Sequence, residues 1–433
     1  MIKKMIKEKN YIKLIVKLLE KSHFFIKEKS DISPVSLREI NRFGKIYNFF
    51  YQVYLNRRVE NNDIKQRNSI ILSLYFCYYL KIPTTELRKE YLSEIKNIGD
   101  FIEVTERESM FVVEQVLKGK KGYAKNRALR ENLFCEFICL INKEPLIICG
   151  KPGTSKSLSV HLLISAIREQ SSSKEFFKQF PQISQIIPSF YQCSITSTSE
   201  NIQKLFNKAR KKLENNDYSI NSLILMDEMG IADESKNNPL KVLHSELDNN
   251  SELEEKKKIS FIGISNYYLD PSKMNRAINI VVEQPDLNYI IETSKEIAKN
   301  IDEVIESRNE KLTVSISKAY YDYISYDQPK LGLEDFHGFR DFYYLIKYIF
   351  NKISKNNEIC DTGNYITYAI KGIIKNFGGN PNSIKKMKEN FLKYYFEENK
   401  NKIDDNNNIN YNVLDCIYEN INSDIDSRYL LLI

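Results

Sequence analysis

Short apolar runs alternate with longer amphipathic stretches from about residue 96 to residue 285 of this 433-residue chain. Nearly all residues of each run are apolar, as expected of a strand that helices cover on both faces of a sheet. Because this alternation is typical of β/α units, we expect an α/β fold built on a parallel sheet that helices flank. The predicted strands are residues 146–149, 190–194, 223–226, 259–264 and 278–282.

The regions on either side of the predicted sheet have helical periodicity. We expect a helical N-terminal region at residues 1–95, the α/β core at 96–285 and a helical subdomain at 286–397, where strand signals disappear. Residues 398–433 begin with a polar segment of low complexity, which predicts a linker and a C-terminal extension. The chain ends on the apolar sequence RYLLLI, which suggests a longer parent polypeptide.

Composition restricts the class of protein. Hydrophobic residues make up 42% of the chain and charged residues 28%, so the chain can bury a core. The net charge of +7 comes from 64 basic and 57 acidic residues, a balance too even to indicate a nucleic-acid-binding protein.

The sequence also lacks the patterns of a membrane, secreted or zinc-binding protein. No run approaches the ~18 apolar residues of a membrane span, and the basic N-terminus lacks the apolar region of a signal peptide. Its apolar residues recur at helical spacing, so we expect them to pack against a core. Seven cysteines without a CxxC pair and four scattered histidines argue against zinc modules and disulfides. We therefore expect a soluble cytoplasmic protein with no membrane span and no nucleic-acid partner.

The sequence GKPGTSKS at residues 150–157 follows the first predicted strand and precedes an amphipathic helix. A strand, a tight glycine turn and a helix N-terminus are the setting of a phosphate-binding loop, although a Gly/Pro turn before a lysine is the simpler alternative. In such a loop Lys156 reaches the β- and γ-phosphates, and the Ser157 hydroxyl binds Mg²⁺. Ser155 stands where the GxxxxGK[ST] pattern has its second glycine, and a positive φ there would cost roughly 1 kcal/mol. The residues expected to hold the phosphates are Gly150, Pro152, Gly153, Thr154, Ser155, Lys156, Ser157 and Leu158.

Two acidic residues, Asp227 and Glu228, follow the strand predicted at 223–226. The carboxyl ends of parallel strands meet at one edge of the sheet, where open α/β folds bind ligands. Asp227 fits a carboxylate that holds Mg²⁺ together with Ser157, and Glu228 fits a base that orients an attacking water. A charged turn after a strand is common, but the combination with the 150–157 turn is much rarer. Together the two elements predict a nucleoside triphosphate site.

Three further polar residues are candidates for the same site. Asn266 follows the strand predicted at 259–264, where it can bond the γ-phosphate and the attacking water or simply start the next turn. Arg276 is either an arginine finger, which stabilises charge on the transferred phosphoryl group, or an ordinary surface arginine. Arg340 lies at the predicted start of a helix, where it can reach phosphates from a lid or pair with a neighbouring aspartate.

In this order, these elements resemble the nucleotide-binding modules of AAA+ ATPases. More narrowly, the chain resembles the AAA modules of the mysterin family, giant ring-finger ubiquitin ligases with a dynein-like motor core. The similar segments are GYAKNRALRENLF (122–134), GKPGTSKSL (150–158), SFYQCSITSTSENIQ (189–203), LILMDEMGIADES (223–235), FIGISNYYLDPSKMNRAI (261–278) and FHGFRDFYYLIK (336–347). The family shares the serine at position 155, whereas the ring finger and the other zinc-binding region of the family are absent from this sequence.

The resemblance implies a P-loop AAA+ core with a helical lid, ATP and Mg²⁺ as cofactors, and ATP hydrolysis coupled to domain movement. It assigns Lys156 and Ser157 to Walker A, Asp227 and Glu228 to Walker B, Asn266 to sensor 1, Arg276 to the finger and Arg340 to sensor 2. Because an arginine finger acts on a neighbouring module's nucleotide, the implied partners are adjacent AAA modules of the same or another chain. Ubiquitin-pathway proteins are further implied partners.

Two other functions fit the same residues. A non-hydrolysing module would hold ATP permanently as a structural element if no neighbour supplied the finger. A ligase fragment would act through an unrecognised catalytic cysteine, for which Cys193 at a predicted strand end is the candidate. Free cysteines are more often buried and inert, which argues against that role. No NKxD guanine signature occurs within the predicted core at residues 96–285, so ATP is favoured over GTP.

Overall fold

The structure, a computed structural model, describes residues 9–29, 35–120, 122–169, 180, 185–216, 220–282, 285–355 and 362–396. It divides into two compact units. The first comprises the described residues of Met1–Gly119 and Ala128–Gln284, and the second those of Lys120–Arg127 and Pro285–Ile433. The described helices of residues 1–95 therefore belong to the same unit as the sheet. The linker and C-terminal extension expected at 398–433 lie outside the described residues.

Five parallel strands form one sheet in the first unit, in the order β2-β3-β4-β1-β5. β1 lies inside the sheet, where Leu146 is aligned with Ile262 of β4 and Ile278 of β5. Every residue of β1, β4 and β5 is buried, as the apolar runs predict. The strands are β1 (Leu146–Cys149), β2 (Ile186–Gln192), β3 (Asn221–Asp227), β4 (Ser260–Ser265) and β5 (Ile278–Val281).

One strand differs clearly from the predicted positions. β2 begins four residues before the expected 190–194 and ends two residues earlier. It is an edge strand that pairs with β3 alone. An edge strand tolerates Pro188, which has no N–H to donate, and it leaves Phe190 54% exposed. The half-polar residues of an exposed edge do not form an apolar run, so periodicity misplaced this strand.

The helices of the first unit precede the sheet and connect its strands. α2 packs against α3, α3 contacts β5, and α8 packs against β2 and β3. In α1, Ile15 and Leu19 are buried, so its apolar stripe packs against the core as expected. The helices are α1 (Lys9–Lys29), α2 (Leu37–Asn56), α3 (Asn62–Cys77), α4 (Thr85–Glu94), α5 (Phe101–Val116), α6 (Arg127–Asn142), α7 (Lys156–Glu169), α8 (Ser199–Glu214), α9 (Met229–Asp233), α10 (Leu243–Glu252) and α11 (Pro271–Met274).

The second unit is helical. Aromatic side chains fill its core, where the rings of Tyr320 and Phe342 stack with centroids 4.5 Å apart. Its helices are α12 (Leu287–Ile301), α13 (Glu303–Arg308), α14 (Glu310–Asp322), α15 (Gln328–Lys330), α16 (Phe339–Lys355), α17 (Thr362–Asn376) and α18 (Pro381–Tyr395), and a π-helical turn (Tyr323–Asp327) joins α14 to α15. Among the described residues, no helix combines the length and apolar character needed to cross a bilayer. The predicted fold class, a helix-flanked parallel α/β core with helical regions before and after it, is confirmed.

Candidate nucleotide-binding site

The turn after β1 is closely packed against the neighbouring strand ends. The Gly150 N–H donates to the Ser265 carbonyl at the end of β4 (3.2 Å). A Cβ at position 150 would lie 2.9 Å from Val282 Cβ, so this position needs glycine. Farther along the turn, Gly153 has a φ of 87° and Ser155 a φ of 59°. Ser155 therefore does adopt the left-handed backbone considered for this position, at a cost of about 1–2 kcal/mol.

The Lys156 side chain folds back into this turn. Its ammonium donates to the carbonyl oxygens of Gly150 and Lys151, the latter at 2.8 Å. The Thr154 hydroxyl donates to the same Lys151 carbonyl (2.8 Å). The Lys156 side chain is buried, so a fixed positive charge lies inside the turn at the N-terminus of α7. A helix N-terminus and a lysine at one place favour the binding of an anion.

The 150–157 turn and the acidic strand end are in direct contact. The Ser157 hydroxyl donates to Asp227 Oδ2 at 3.1 Å, although the two residues are 70 positions apart in the chain. The backbone N–H of Glu228 donates to Asp227 Oδ1 (2.8 Å). Glu228 itself has a left-handed backbone with a φ of 56°. Strained residues of this kind cluster at functional sites.

The other candidates have different positions. Asn266 directly follows β4, between the ends of β1 and β3, and is half-buried. Pro152 and Leu158 are exposed at the turn and at the start of α7. Arg340 belongs to the second unit, where it is exposed in the first turn of α16.

Arg276 has partners within its own unit. Its Nε donates to Asp248 Oδ2 in α10 at 3.0 Å, and its Nη1 donates to the Ser272 carbonyl at 2.6 Å. The same aspartate accepts hydrogen bonds from Arg38 Nη2 at the start of α2, at 3.1 and 3.3 Å. Two guanidinium groups thus share one carboxylate, and sequence reasoning identified only one of them.

The turn that precedes Arg340 is fixed by a buried histidine. His337 Nε2 donates to the Gly378 carbonyl (3.1 Å), and its Nδ1 lies within hydrogen-bond distance of the Tyr323 hydroxyl (2.8 Å). Burial lowers the pKa of His337, so the neutral form is favoured. The backbone N–H of Gly338 donates to Asp341 Oδ2 (2.7 Å) and completes the start of α16.

Cys193 follows β2 rather than lying in it, and its backbone N–H donates to the Asp227 carbonyl (2.9 Å). Its side chain is buried. Burial, together with the negative charges of Asp227 and Glu228, raises the pKa of the Cys193 thiol to about 12. A thiol with such a pKa is not a nucleophile near neutral pH.

Two residues at the site were missed by the sequence reasoning. Asn132 and Glu136 lie four residues apart on α6, both fully buried, and contact the backbone or side chains of residues 154–159. The available signal was a pair of polar residues at helical spacing within the otherwise apolar stretch before β1.

A parallel sheet, a glycine turn after the inner strand β1 and a carboxylate at the end of β3, one strand removed from β1, are typical of P-loop α/β proteins. A family model described as the RNF213 AAA domain matches residues 122–289. The chain is 29% identical to the human E3 ubiquitin-protein ligase RNF213 over 376 residues, or 81% of this chain and 7% of that protein. The zebrafish E3 ubiquitin-protein ligase rnf213-beta is 29% identical over 97% of this chain and 8% of its own length. The mouse RNF213 is 28% identical over 85% of this chain.

The chain is thus similar to the AAA modules of the mysterin family, and the match to the AAA domain model covers residues 122–289. The chain spans about 7–8% of the length of the human and zebrafish relatives.

Proposed function

We propose that this chain binds and hydrolyses ATP with Mg²⁺. The observation that carries the proposal is the hydrogen bond between Ser157 and Asp227, which joins the glycine turn to the acidic strand end. A phosphate-binding turn held against a carboxylate is the arrangement that a magnesium–triphosphate site requires.

The residues at this edge of the sheet fit the proposed cofactors. Mg²⁺ is usually bound through one or two carboxylates together with phosphates and water. Among the described residues there is no cluster of three or more His, Cys, Asp or Glu side chains that would hold a metal alone. Ser157 and Asp227 would supply one hydroxyl and one carboxylate, in keeping with a metal that shares its ligands with a nucleotide.

Each side chain has a proposed task in the reaction. Lys156 would exchange its bonds to the turn carbonyls for bonds to phosphate oxygens, with Gly150, Gly153 and Thr154 shaping the turn. Glu228 would accept a proton from the attacking water, and Asn266 would orient that water. Bound Mg²⁺ would supply positive charge against the phosphates.

Two arginines complete the proposal. Arg276 would act on the nucleotide of a neighbouring AAA module in the same or another chain, and Arg340 would contact nucleotide from the helical lid. Hydrolysis would then drive domain movement in a mysterin-like motor and ubiquitin-ligase protein of the cytoplasm, with ubiquitin-pathway proteins as partners. The similarity to E3 ubiquitin-protein ligases of human and zebrafish supports this context.

One observation favours a second candidate function. Arg276 is bound to Asp248 and to the Ser272 carbonyl of its own unit. If the arginine keeps these bonds, the chain would retain ATP without turnover and serve as a structural module. Phosphate release separates this candidate from the first.

The test measures ATP binding and phosphate release by the 433-residue chain. Lys156→Ala should abolish binding, because it removes the buried positive charge of the turn, whereas the exposed control Lys241→Ala should bind normally. Glu228→Gln should bind ATP but lose phosphate release by 10²-fold or more, the usual contribution of a general base. Equal phosphate release by wild type and Glu228→Gln would favour the structural module. Absence of binding by the wild type would overturn both candidates.

A further inference from the structure

α6 presents two buried polar side chains to the segment that carries Lys156. Asn132 and Glu136 are four residues apart, a spacing that places them on one face of the helix. Both are fully buried. Asn132 Nδ2 donates to the Thr154 carbonyl oxygen at 3.0 Å. Glu136 contacts Ser159, so the two side chains bracket Lys156 in sequence.

The hydrogen bonds around Ser159 restrict the protonation state of Glu136. Ser159 Oγ lies 2.5 Å from Glu136 Oε1 and 2.7 Å from the carbonyl oxygen of Lys156. A hydroxyl has one proton, whereas a carbonyl and an ionised carboxylate can only accept. If Glu136 were ionised, Ser159 would have to share one proton between two acceptors. A proton on Glu136 Oε1 resolves this, because the acid then donates to Ser159 and Ser159 donates to the Lys156 carbonyl.

The surroundings of Glu136 agree with a neutral acid. In the described part of the chain Glu136 forms no ion pair, and its second oxygen has no hydrogen-bond partner. A buried carboxylate without a cation costs far more than a buried neutral acid. Burial raises the pKa of Glu136 well above its ordinary value of 4.5, and the hydrogen bond from Ser159 opposes this only in part.

We propose that Glu136 is a neutral carboxylic acid that donates its proton to Ser159 and, together with Asn132, positions the backbone on both sides of Lys156. Asn132 fixes the Thr154 carbonyl, and the Glu136–Ser159 pair fixes the carbonyl of Lys156 itself in the first turn of α7. These are positioning residues, since neither is proposed to contact the nucleotide. The nucleotide-binding consequence rests on the proposed function, but the protonation state does not.

The first experiment measures the protonation state in the nucleotide-free chain. The infrared spectrum at neutral pH should contain a band of a protonated carboxyl group that Glu136→Gln removes. Glu131→Gln is the matched control on the same helix, because Glu131 Oε1 forms a salt bridge with Arg88 Nη1 at 2.8 Å, whereas Glu136 has no cationic partner among the described residues. This control should leave the band in place. A spectrum unchanged by Glu136→Gln would overturn the proposal.

The second experiment measures ATP affinity. Glu136→Gln keeps a neutral donor for Ser159 and should bind ATP within about twofold of wild type, whereas Glu136→Ala should bind about tenfold or more weakly. Asn132→Asp has the same shape but no donor for the Thr154 carbonyl, so it should also bind about tenfold more weakly. Wild-type affinity in both weakened variants would overturn the positioning role. If the wild type binds no ATP, the proposed function fails while the infrared result still decides the protonation state.

Discussion

At the scale of single residues, the backbone of Ser155 is strained. Its φ of 59° lies in the left-handed region, which costs a residue with a Cβ about 1–2 kcal/mol. The adjacent residue Thr154 is held by hydrogen bonds, since its carbonyl accepts from Asn132 Nδ2 (3.0 Å) and its hydroxyl donates to the Lys151 carbonyl (2.8 Å). The turn therefore keeps a conformation that local preference alone would not select.

Replacement of Ser155 by glycine should raise the stability of the chain. Glycine adopts positive φ without strain but loses more entropy on folding, so we expect Ser155→Gly to increase the free energy of unfolding by at most about 1 kcal/mol. Ser155→Ala keeps the Cβ and should give no gain. Denaturant unfolding of the three chains measures the difference. A glycine variant less stable than the alanine variant would show that position 155 is not strained.

Glu136 should make stability depend on pH. Its pKa is raised by burial, so the folded chain keeps a proton that the unfolded chain loses above its ordinary value of 4.5. The contribution of Glu136 to the free energy of unfolding is fully present below pH 4.5. Above that pH it falls, by about 1.4 kcal/mol per pH unit for one proton, until the folded chain also loses the proton. Cys135, the preceding residue of α6, interacts electrostatically with Glu136, and Ser159 links Glu136 to the backbone carbonyl of Lys156.

The matching measurement compares wild type with Glu136→Gln between pH 5 and pH 8. Glutamine does not titrate, so the variant should gain stability relative to wild type at each step upward in pH. If the free energy of unfolding depends on pH equally in the two chains, the pKa of Glu136 is not raised in the folded state.

At the scale of elements, a buried charge cluster joins α2 to the 3₁₀ turn Tyr79–Lys81 that follows α3. Lys81 Nζ and Arg42 Nη1 both donate to Glu39 Oε1, at 2.9 and 3.0 Å. Burial alone would raise the pKa of Glu39, but the charges of Lys81 and Arg42 bring it below its ordinary value. Glu39 also accepts from the Ser36 N–H in a capping box that begins α2. The Glu39 carboxylate thus caps the N-terminus of α2 and pairs with two cations.

Removal of one charge from this cluster should be costly. Lys81→Met leaves the buried Glu39 carboxylate with Arg42 alone, and we expect a loss of about 3 kcal/mol in the free energy of unfolding. The double variant Glu39→Gln/Lys81→Met removes both charges and should lose less than Lys81→Met. Denaturant unfolding measures both. A single variant within about 1 kcal/mol of wild type would mean that the Lys81–Glu39 pair contributes little.

α2 also supports the segment that carries Arg276. The Ser36 hydroxyl donates to Asn275 Oδ1 (3.0 Å), and Arg42 Nη2 donates to the Asn275 carbonyl (3.2 Å). The N-terminal helices therefore hold the residue next to the candidate finger, which gives residues 35–56 a structural role in this unit.

At the scale of the whole molecule, the proposed function has Arg276 act on the nucleotide of a neighbouring module, so the proposed reaction would need a second AAA module. We expect Arg276→Ala to bind ATP like wild type and to release phosphate more slowly wherever chains associate, because its turn is intact but it offers no finger. Lys156→Ala should not bind ATP itself, but it keeps Arg276 and can offer this arginine to a neighbouring chain. A mixture of the two variants should recover phosphate release that neither chain shows alone.

Phosphate release per chain at increasing concentration, measured for each variant and for the mixture, checks this prediction. Turnover by Arg276→Ala equal to that of wild type at every concentration would remove Arg276 from the reaction. Turnover that does not depend on concentration would mean that copies of this chain do not supply the finger to one another.

The fold and part of the site could be predicted because they depend on local patterns. Strands that are buried on both faces are mostly apolar, so β1, β3, β4 and β5 were located to within two residues. Residues at the carboxyl ends of parallel strands must share one edge, which placed Asp227 and Asn266 near the 150–157 turn. β2 was misplaced because it is partly exposed, whereas β5 at the opposite edge is buried and apolar like the inner strands.

Amino-acid pattern by itself determined the strand–turn–helix unit at 146–169 and the acidic end of β3, since both depend on neighbours in sequence. Tertiary packing alone decided that Ser157 meets Asp227, that Arg276 is held by Asp248, and that α6 buries Glu136 behind the turn. These contacts join residues about 20–70 positions apart. The physical reason is that burial and charge pairing at a point depend on every element that packs there, whereas periodicity describes only one element at a time.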